Sequence, residues 1–190
     1  MNVTGLILAG GRGSRMDGAD KGLQPFAGRP LIEHAIERLR PQVGHILISA
    51  NRNGERYAAY GCPVLGDRLG GFLGPLAGID AALAECTTPY LATVPCDAPY
   101  FPADLVAHLL TAIGTADAVI VADHPVFALL RRDTRQALAD YLASGGRKVR
   151  DWYGGLCSVT VDFADGSAFA NLNTREELAT GCSRPSIRPS

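Results

Sequence analysis

The sequence predicts an α/β domain built on a mostly parallel central sheet with helices on both faces. Short apolar runs rich in β-branched residues alternate with segments of helical periodicity, which is the order expected of a parallel α/β sheet. The earlier runs are almost continuously apolar rather than alternating, as is typical of strands covered on both faces. A chain of 190 residues, 47% of them hydrophobic, suits a single full-sized core.

The predicted elements follow one another along the chain. Strands are predicted at 5–9, 45–50, 90–95, 118–122, 126–130 and 158–163, and helices at 30–39, 74–86, 102–113, 134–145 and 147–153, with a last helix from Thr174. Pro30, Pro75 and Pro102 lie near predicted helix starts, where a backbone N–H is not needed. The strands at 118–122 and 126–130 are too close for a helical crossover, so we predict an antiparallel pair in the second half.

Charge and cysteine usage exclude several classes of function. The net charge is −1, so no global basic field would gather nucleic acid or an anionic membrane. The five cysteines are odd in number and lack metal-ligand spacing, which argues against a disulfide framework or a structural zinc site. The N-terminus has no basic n-region and no apolar run long enough to span a bilayer. We therefore expect a cytoplasmic protein with no nucleic-acid or membrane partner.

A glycine-rich loop follows the first predicted strand. Residues 6–22 read LILAGGRGSRMDGADKG, and such a loop lies at the carboxyl edge of the sheet, where α/β proteins bind ligands. Its glycines would let backbone N–H groups approach phosphate oxygens. Arg12, Arg15 and Lys21 add positive charge, which Asp17 and Asp20 only partly offset. The loop is therefore a candidate phosphate site.

Two familiar phosphate-binding signatures fail in this loop. GRGSRM has Met16 where G-x-G-x-x-G requires its third glycine, and GADKG lacks the G-K-[ST] of a P-loop. A glycine-rich turn with solvated charges therefore stays open as the alternative to an anion site.

A candidate metal ligand follows another apolar run. Asp97 in VPCDAP (94–99) lies where the predicted strand ends, so its carboxylate would face the glycine-rich loop. Mg²⁺ binds through one or two carboxylates together with substrate phosphates. An Asp before Ala-Pro is also a common turn former, but beside a loop with glycines, arginines and a lysine we favour the metal.

Other polar residues end predicted strands at the same edge: Ser49, Asn51, Asp67, Asn171 and Asn173. Asn and Ser offer both donors and acceptors, as a base or a ribose requires. Each is an ordinary strand terminator by itself. Their joint placement is what favours one shared cleft.

The remaining candidates have simpler interpretations. Arg147 and Lys148 belong to a local basic cluster, which is usually a solvated helix face; an acceptor phosphate is the second interpretation. We interpret His34 as a helix-face residue, and Trp152 and Tyr153 as packing residues.

These motifs occur together in one family. In order, LILAGGRGSRMDGADKGL, GRPLIEHAIERL, ISANRN, GPLAGI, VPCDAPYFPADLVAHLL, HPVFALL and FANLNTREEL resemble the molybdenum cofactor guanylyltransferase (MobA) family, over about residues 4–180. The combination of LAGG, DKG, GPLAG, PCD-x-P and N-x-N-T is specific, whereas any one alone would fit related nucleotidyltransferases. The chain departs from the family at Ser49, where Asn is frequent, and at 122–126, where relatives commonly carry a longer loop.

The resemblance implies a Rossmann-like nucleotidyltransferase fold over residues 1–180, followed by a disordered tail at 181–190. It also implies transfer of GMP from GTP to the terminal phosphate of molybdopterin, with Mg²⁺ as the cofactor and pyrophosphate released. GTP and Mg²⁺ would bind in the N-terminal half and molybdopterin in the C-terminal half. Proteins that insert molybdenum and chaperones of molybdoenzymes are candidate partners.

The same resemblance assigns roles to residues by position. GTP would contact Leu8, Ala9, Gly10, Gly11, Lys21, Ser49, Asn51, Asp67 and Asp97, and molybdopterin would contact Asn171, Asn173, Arg147 and Lys148. Asp97 would hold the metal, and Asp97, Lys21 and Arg15 would be catalytic.

Other functions stay open on the sequence alone. A molybdopterin cytidylyltransferase or a sugar- or polyol-phosphate nucleotidyltransferase would share the loop and the metal-binding Asp. A non-catalytic module that binds a nucleotide or the pterin would keep the glycines without needing Lys21 and Asp97. A Rossmann dehydrogenase is disfavoured by Met16.

Overall fold

The structure is a computed structural model that describes residues 1–10, 20–67, 74–173 and 177–178. The predictions for Gly11, Arg15, a helix starting at Thr174 and the tail at 181–190 concern residues outside these ranges. None of the helices within the described ranges has the length and hydropathy of a membrane span.

A seven-stranded sheet forms the centre of the molecule. Its strands are β1 (Val3–Leu8), β4 (His45–Ser49), β5 (Val64–Leu65), β6 (Tyr90–Pro95), β7 (Ala118–Val121), β8 (His124–Arg131) and β9 (Ser158–Val161), and a separate hairpin is formed by β2 (Pro25–Phe26) and β3 (Arg29–Pro30). The order across the sheet is β5-β4-β1-β6-β8-β7-β9. Strands β5, β4, β1 and β6 are parallel, whereas β8 is antiparallel to both of its neighbours. The mostly parallel sheet and the antiparallel pair are thus confirmed.

Helices cover both faces of this sheet, as predicted. They are α1 (Leu31–Leu39), α2 (Gly54–Ala58), α3 (Pro75–Glu85), α4 (Leu105–Ile113), α5 (Arg135–Ala143) and α6 (Val149–Gly154). Side chains alternate between the faces of a strand, so on β1 Ile7 joins the core beneath α1 and α4, while Leu6 joins the core beneath α3, α5 and α6. Both side chains are fully buried.

The register aligns the carboxyl ends of three neighbouring strands. Leu8, the last residue of β1, is paired with Ser49 of β4 on one side and with Pro95 of β6 on the other. Residues that follow these strands therefore leave the sheet at the same level. This alignment is what positions the candidate site.

The expectation that Asn171 and Asn173 end a strand is wrong. Strand β9 stops at Val161, and the chain then forms a 3₁₀ turn at Gly166–Phe169 before a segment, 170–173, that belongs to no strand. Phe169 and Leu172 are both buried; their spacing of three suits a turn rather than the two-residue repeat of a strand. The segment still reaches the carboxyl edge by this route.

The short link between β7 and β8 is a two-residue hairpin turn. Ala122 and Asp123 make the turn, and Asp123 has a positive φ of 58°. Asp tolerates the left-handed conformation that tight hairpins require. The departure noted at 122–126 is therefore a tight reversal at the sheet's carboxyl edge.

Candidate active site

Leu8, Ala9 and Gly10 lie between the ends of two neighbouring strands. The Ala9 N–H donates to the Ser49 carbonyl at 2.9 Å, and the Leu8 carbonyl accepts from the Cys96 N–H at 3.1 Å. These bonds continue the sheet pairing beyond β1 and fix the backbone that enters the glycine-rich loop. A Cβ on Gly10 would lie 3.7 Å from the Asn51 Nδ2 atom, so Gly10 sits directly beside that amide.

Lys21 and Asp97 form an ion pair at the end of β6. The Lys21 Nζ group donates to Asp97 Oδ2 and, at 2.6 Å, to Asn173 Oδ1. The side chains of Lys21 and Asp97 are only 24% and 14% exposed, so water screens the pair less than it would a surface pair. Three residues far apart in the sequence thus meet at one point.

The other oxygen of Asp97 indicates where a cation could bind. Within the described residues, Oδ1 of Asp97 is buried and has no hydrogen-bond partner. A buried carboxylate oxygen without a partner is costly, and a bound cation would satisfy it. The described ranges contain no group of three or more His, Cys, Asp or Glu side chains that could hold a metal. Asp97 therefore fits Mg²⁺, which needs few protein ligands when phosphates and water supply the rest.

Asn51 and Asp67 form a second polar pair, at the ends of β4 and β5. The Asn51 Nδ2 group donates to Asp67 Oδ2 at 2.6 Å, and Asn51 Oδ1 accepts from the Asp67 backbone N–H at 2.8 Å. Strands β4 and β6 flank β1, so this pair and Asp97 are separated by about two strand spacings, roughly 10 Å. Both pairs face the same edge of the sheet.

Ser49 is buried beneath the first turn of α3 rather than open to the edge. It is 2% exposed, and a Cβ on Gly78 would lie 2.9 Å from its Cβ and closer still to its Oγ. The start of α3 thus packs onto the ends of β1 and β4, which brings the positive end of its dipole to the site. A nucleotide contact through the Ser49 side chain stays a prediction.

The side chain next to Asp97 is not a candidate nucleophile. Cys96 is buried, and burial, followed by the charge of Asp97, raises the pKa of its thiol well above the usual value. A thiol held neutral in the core is inert.

Arg147 and Lys148 lie between α5 and α6, away from the contacts described so far. The Arg147 Nη1 group donates to the carbonyls of Leu142 and Gly146 at 2.8 and 2.5 Å. Lys148 is 82% exposed and lies 4.0 Å from Asp151. The structure does not bring these two cations into contact with Asp97, and their role toward an acceptor stays a prediction.

The interpretations of His34, Trp152 and Tyr153 are confirmed. His34 Nε2 is hydrogen-bonded to the Phe26 carbonyl at 2.8 Å, whereas Trp152 and Tyr153 are 2% and 3% exposed in the core. Among the described residues, none of these three side chains is hydrogen-bonded to Lys21 or Asp97.

Three residues that support the site were not predicted from the sequence. The carboxylate of Asp20 accepts from the Tyr57 hydroxyl and, at 2.9 Å, from Asn53 Nδ2. Asp20 precedes Lys21, and the sequence suggested only that its charge offsets the loop cations. The available signal was its position in DKG, because an acid beside a functional lysine needs a partner of its own.

Comparison with known families decides between the nucleotidyltransferase fold and other α/β folds. The family model described as MobA-like NTP transferase domain matches residues 5–158, which include both the Lys21–Asp97 pair and the Asn51–Asp67 pair. The chain belongs to the MobA-like NTP transferase family. The resemblance inferred from the motifs is therefore confirmed.

Curated MobA-like relatives extend the match over nearly the whole chain. A protein of Ralstonia nicotianae named molybdenum cofactor guanylyltransferase is 50% identical over 192 residues, covering 93% of this chain and 94% of its own. A protein of the same name from Cupriavidus necator is 47% identical over 190 residues, covering 94% and 96%.

Solved structures confirm the fold of this MobA-like chain. Molybdopterin-guanine dinucleotide biosynthesis protein A of Archaeoglobus fulgidus superposes with a TM-score of 0.77 at 24% identity, covering 93% of this chain and 95% of that one. A CMP:2-keto-3-deoxy-manno-octonic acid synthetase complexed with CTP gives a TM-score of 0.75 at 15% identity, covering 95% and 97%. At these identities the likeness concerns the fold alone.

Proposed function

We propose that this protein is a cytoplasmic guanylyltransferase that moves GMP from GTP to the terminal phosphate of molybdopterin, forming molybdopterin guanine dinucleotide and pyrophosphate. The names and close identity of its relatives support this activity. The observation that carries it is the Lys21–Asp97 pair, which faces the sheet edge next to the Leu8–Gly10 segment.

The main task of such a site is to bring two anions together. An attacking phosphate and a triphosphate repel each other, so catalysis depends on neutralising charge and on holding the α-phosphorus in line. Lys21 has three N–H donors, of which two are used by Asp97 and Asn173 among the described residues. The third can bind a phosphate oxygen. In this proposal the backbone at Gly10 and Gly11 and the side chain of Arg15 add to that cradle.

The proposal includes Mg²⁺ as the cofactor, held by Asp97 Oδ1. When bound, the ion neutralises phosphate charge and favours departure of pyrophosphate. Lys21 donates to Asp97 Oδ2, which favours one orientation of the carboxylate and leaves Oδ1 for the ion.

No protein base is required to activate the acceptor. A phosphate monoester has a second pKa of roughly 6, so it is already largely deprotonated at neutral pH. The site therefore works by position and electrostatics. We assign Leu8, Ala9, Asn51 and Asp67 to the nucleotide, and Asn171, Asn173, Arg147 and Lys148 to the molybdopterin side.

The test follows the transferred group. Purified protein is incubated with Mg²⁺, molybdopterin and GTP labelled at the α-phosphate, and the pterin product is isolated and identified by mass. We expect labelled molybdopterin guanine dinucleotide, and none from molybdopterin whose terminal phosphate has been removed. Label appearing instead on a sugar phosphate, or only with CTP, would assign the protein to another nucleotidyltransferase activity.

A further inference from the structure

A short segment after β4 holds the residue that precedes Lys21. The Tyr57 hydroxyl donates to one oxygen of Asp20, and Asn53 Nδ2 donates to the other at 2.9 Å. Both donors come from α2 or its N-cap. Both carboxylate oxygens of Asp20 are therefore hydrogen-bonded within the protein. This arrangement is complete without any contact to a substrate.

One of the two donors lies in the core, whereas Asn53 lies at the surface. Tyr57 is fully buried, and burial, then its bond to Asp20, raises the pKa of its hydroxyl so that it stays a donor. A Cβ on Gly22 would lie 2.5 Å from the Tyr57 hydroxyl oxygen, so only glycine lets the turn approach the ring. Asn53 adopts a positive φ of 54°, a conformation that costs free energy for most residues.

Backbone hydrogen bonds of the turn fix Lys21 next to Asp20. The Asp20 carbonyl accepts from the Leu23 N–H at 3.2 Å, and the Lys21 carbonyl accepts from the Gln24 N–H at 3.1 Å. These bonds form a tight 3₁₀ turn whose first residue is Lys21. Because Asp20 is fixed at its side chain and its backbone, the direction in which Lys21 leaves the turn is fixed as well.

We propose that Tyr57 and Asn53 are positioning residues, which hold Asp20 so that Lys21 is presented to Asp97 and to the substrate phosphates. This inference rests on the proposed function for its catalytic consequence, but the position of Lys21 itself can be measured without turnover. Helix α2 thereby links Asn51, which follows β4, to the 3₁₀ turn that begins at Lys21.

The first test measures the accessibility of the Lys21 amine. The chain has two lysines, Lys21 and Lys148, and Lys148 is 82% exposed, so it serves as an internal reference for labelling by an amine-reactive ester. Tyr57→Phe keeps the ring but removes the hydroxyl. We expect the Lys21-to-Lys148 labelling ratio to rise roughly fivefold, a factor within the range for the loss of one hydrogen bond.

A matched control uses a neighbouring tyrosine. The hydrogen bonds to the Asp20 carboxylate within the described residues come from Tyr57 and Asn53 and not from Tyr60, so Tyr60→Phe removes a hydroxyl three residues away and should leave the labelling ratio unchanged. Asn53→Gly removes the amide while accepting the positive φ, and it should raise the ratio in the same direction. It provides the test if Tyr57→Phe does not fold. A folded variant with the wild-type ratio would overturn the proposal.

The second test measures whether Tyr57 acts through Lys21. In the guanylyl-transfer assay Tyr57→Phe should lower kcat about tenfold with little change in the KM for GTP. In a Lys21→Ala background the same substitution should have no further effect, because no lysine remains to be positioned. An equal loss in both backgrounds would make the role of Tyr57 structural. If the wild-type enzyme does not transfer GMP, the proposed function fails while the labelling result still decides the positioning role.

Discussion

The two oxygens of Asp97 have different environments, and the proposed chemistry depends on that difference. Oδ2 accepts from Lys21, whereas Oδ1 is buried without a partner in the described part of the chain. The Asp97 carbonyl also accepts from the Leu172 N–H at 2.8 Å. The residue is therefore held at its backbone and at one oxygen, which leaves the other oxygen for a cation.

Replacing Asp97 should separate binding from chemistry. Asp97→Asn keeps the shape and one acceptor but removes the charge, so we expect single-turnover transfer to fall about 10²–10³-fold while the affinity for GTP changes little. Rapid-quench kinetics and equilibrium titration measure the two quantities. Asp133→Asn, at an exposed carboxylate after β8, is the control. Transfer at the wild-type rate would remove Asp97 from the mechanism.

Replacing Lys21 should affect binding and chemistry together. The ammonium group would contact the triphosphate before and during transfer, so Lys21→Ala should weaken GTP binding and slow turnover, each by about tenfold or more. Arg135→Ala removes an exposed cation at the start of α5 and should change neither. Normal GTP affinity in the Lys21 variant would contradict the assignment.

At the scale of elements, the site depends on how closely α3 approaches the sheet. Gly78 lies against the ends of β4 and β1, where a Cβ would come within 2.9 Å of Leu8 Cδ2 and of Ser49 Cβ. The glycine of the GPLAG motif is thus explained by packing. The approach also brings the helix N-terminus to the edge where phosphates are proposed to bind.

A methyl group at Gly78 should push α3 away from the strands. We expect Gly78→Ala to lower the free energy of unfolding by about 1–3 kcal/mol, measured by urea denaturation. Gly154→Ala, where a Cβ would meet no atom within 4 Å, is the control. Because Ser49 Oγ is the nearest atom, adding Ser49→Ala should restore part of the loss. Equal stability of the two glycine variants would contradict this account of the packing.

The elements that the sequence predicted are those with several turns or strand residues of regular pattern. Strand β6 and helix α1 are continuous apolar or periodic runs, and burial explains both. The hairpin at 25–30, helix α2 and strand β5 are too short for periodicity to indicate. The strand predicted for the segment carrying Asn171 is wrong, because the packing of Phe169 and Leu172 into two separate hydrophobic clusters decides the path of the chain.

The sequence predicted the site residues that follow strand ends. It did not predict the contacts that helix α2 makes with the turn carrying Lys21. Asp97, Asn51 and Asp67 each come two residues after the end of a strand, so the parallel topology alone brings them to one edge. The bond from Tyr57 to Asp20 spans 37 residues. Such a pairing is set by how α2 packs on the turn, and no local pattern indicates it.

At the scale of the whole molecule, an aromatic cluster packs the 3₁₀ turn at Gly166–Phe169 against strand β8. His124 stacks on Phe169 with ring centroids 5.4 Å apart, and Phe169 contacts Phe127 edge-on at 4.9 Å. Burial lowers the pKa of His124, the charge of Asp123 opposes that shift, and Arg150 adds to it. The folded protein therefore holds this imidazole in its neutral form.

The lowered pKa of His124 predicts a loss of stability in acid. Since the unfolded chain binds a proton near pH 6.5 and the folded chain only at lower pH, stability is complete above that value and falls as pH decreases toward the folded pKa. His124→Phe removes this contribution. Urea unfolding at pH 7.5 and pH 5.5 should show a smaller decrease in the variant than in the wild type; an equal decrease would assign the acid sensitivity to other groups.

The most direct test of the central claim is pyrophosphate release by the purified wild-type protein with Mg²⁺, comparing GTP with CTP in the presence and absence of molybdopterin. We expect release only when GTP and molybdopterin are both present, in a one-to-one ratio with the dinucleotide formed. Release with CTP, or release from GTP that does not depend on the acceptor, would contradict it.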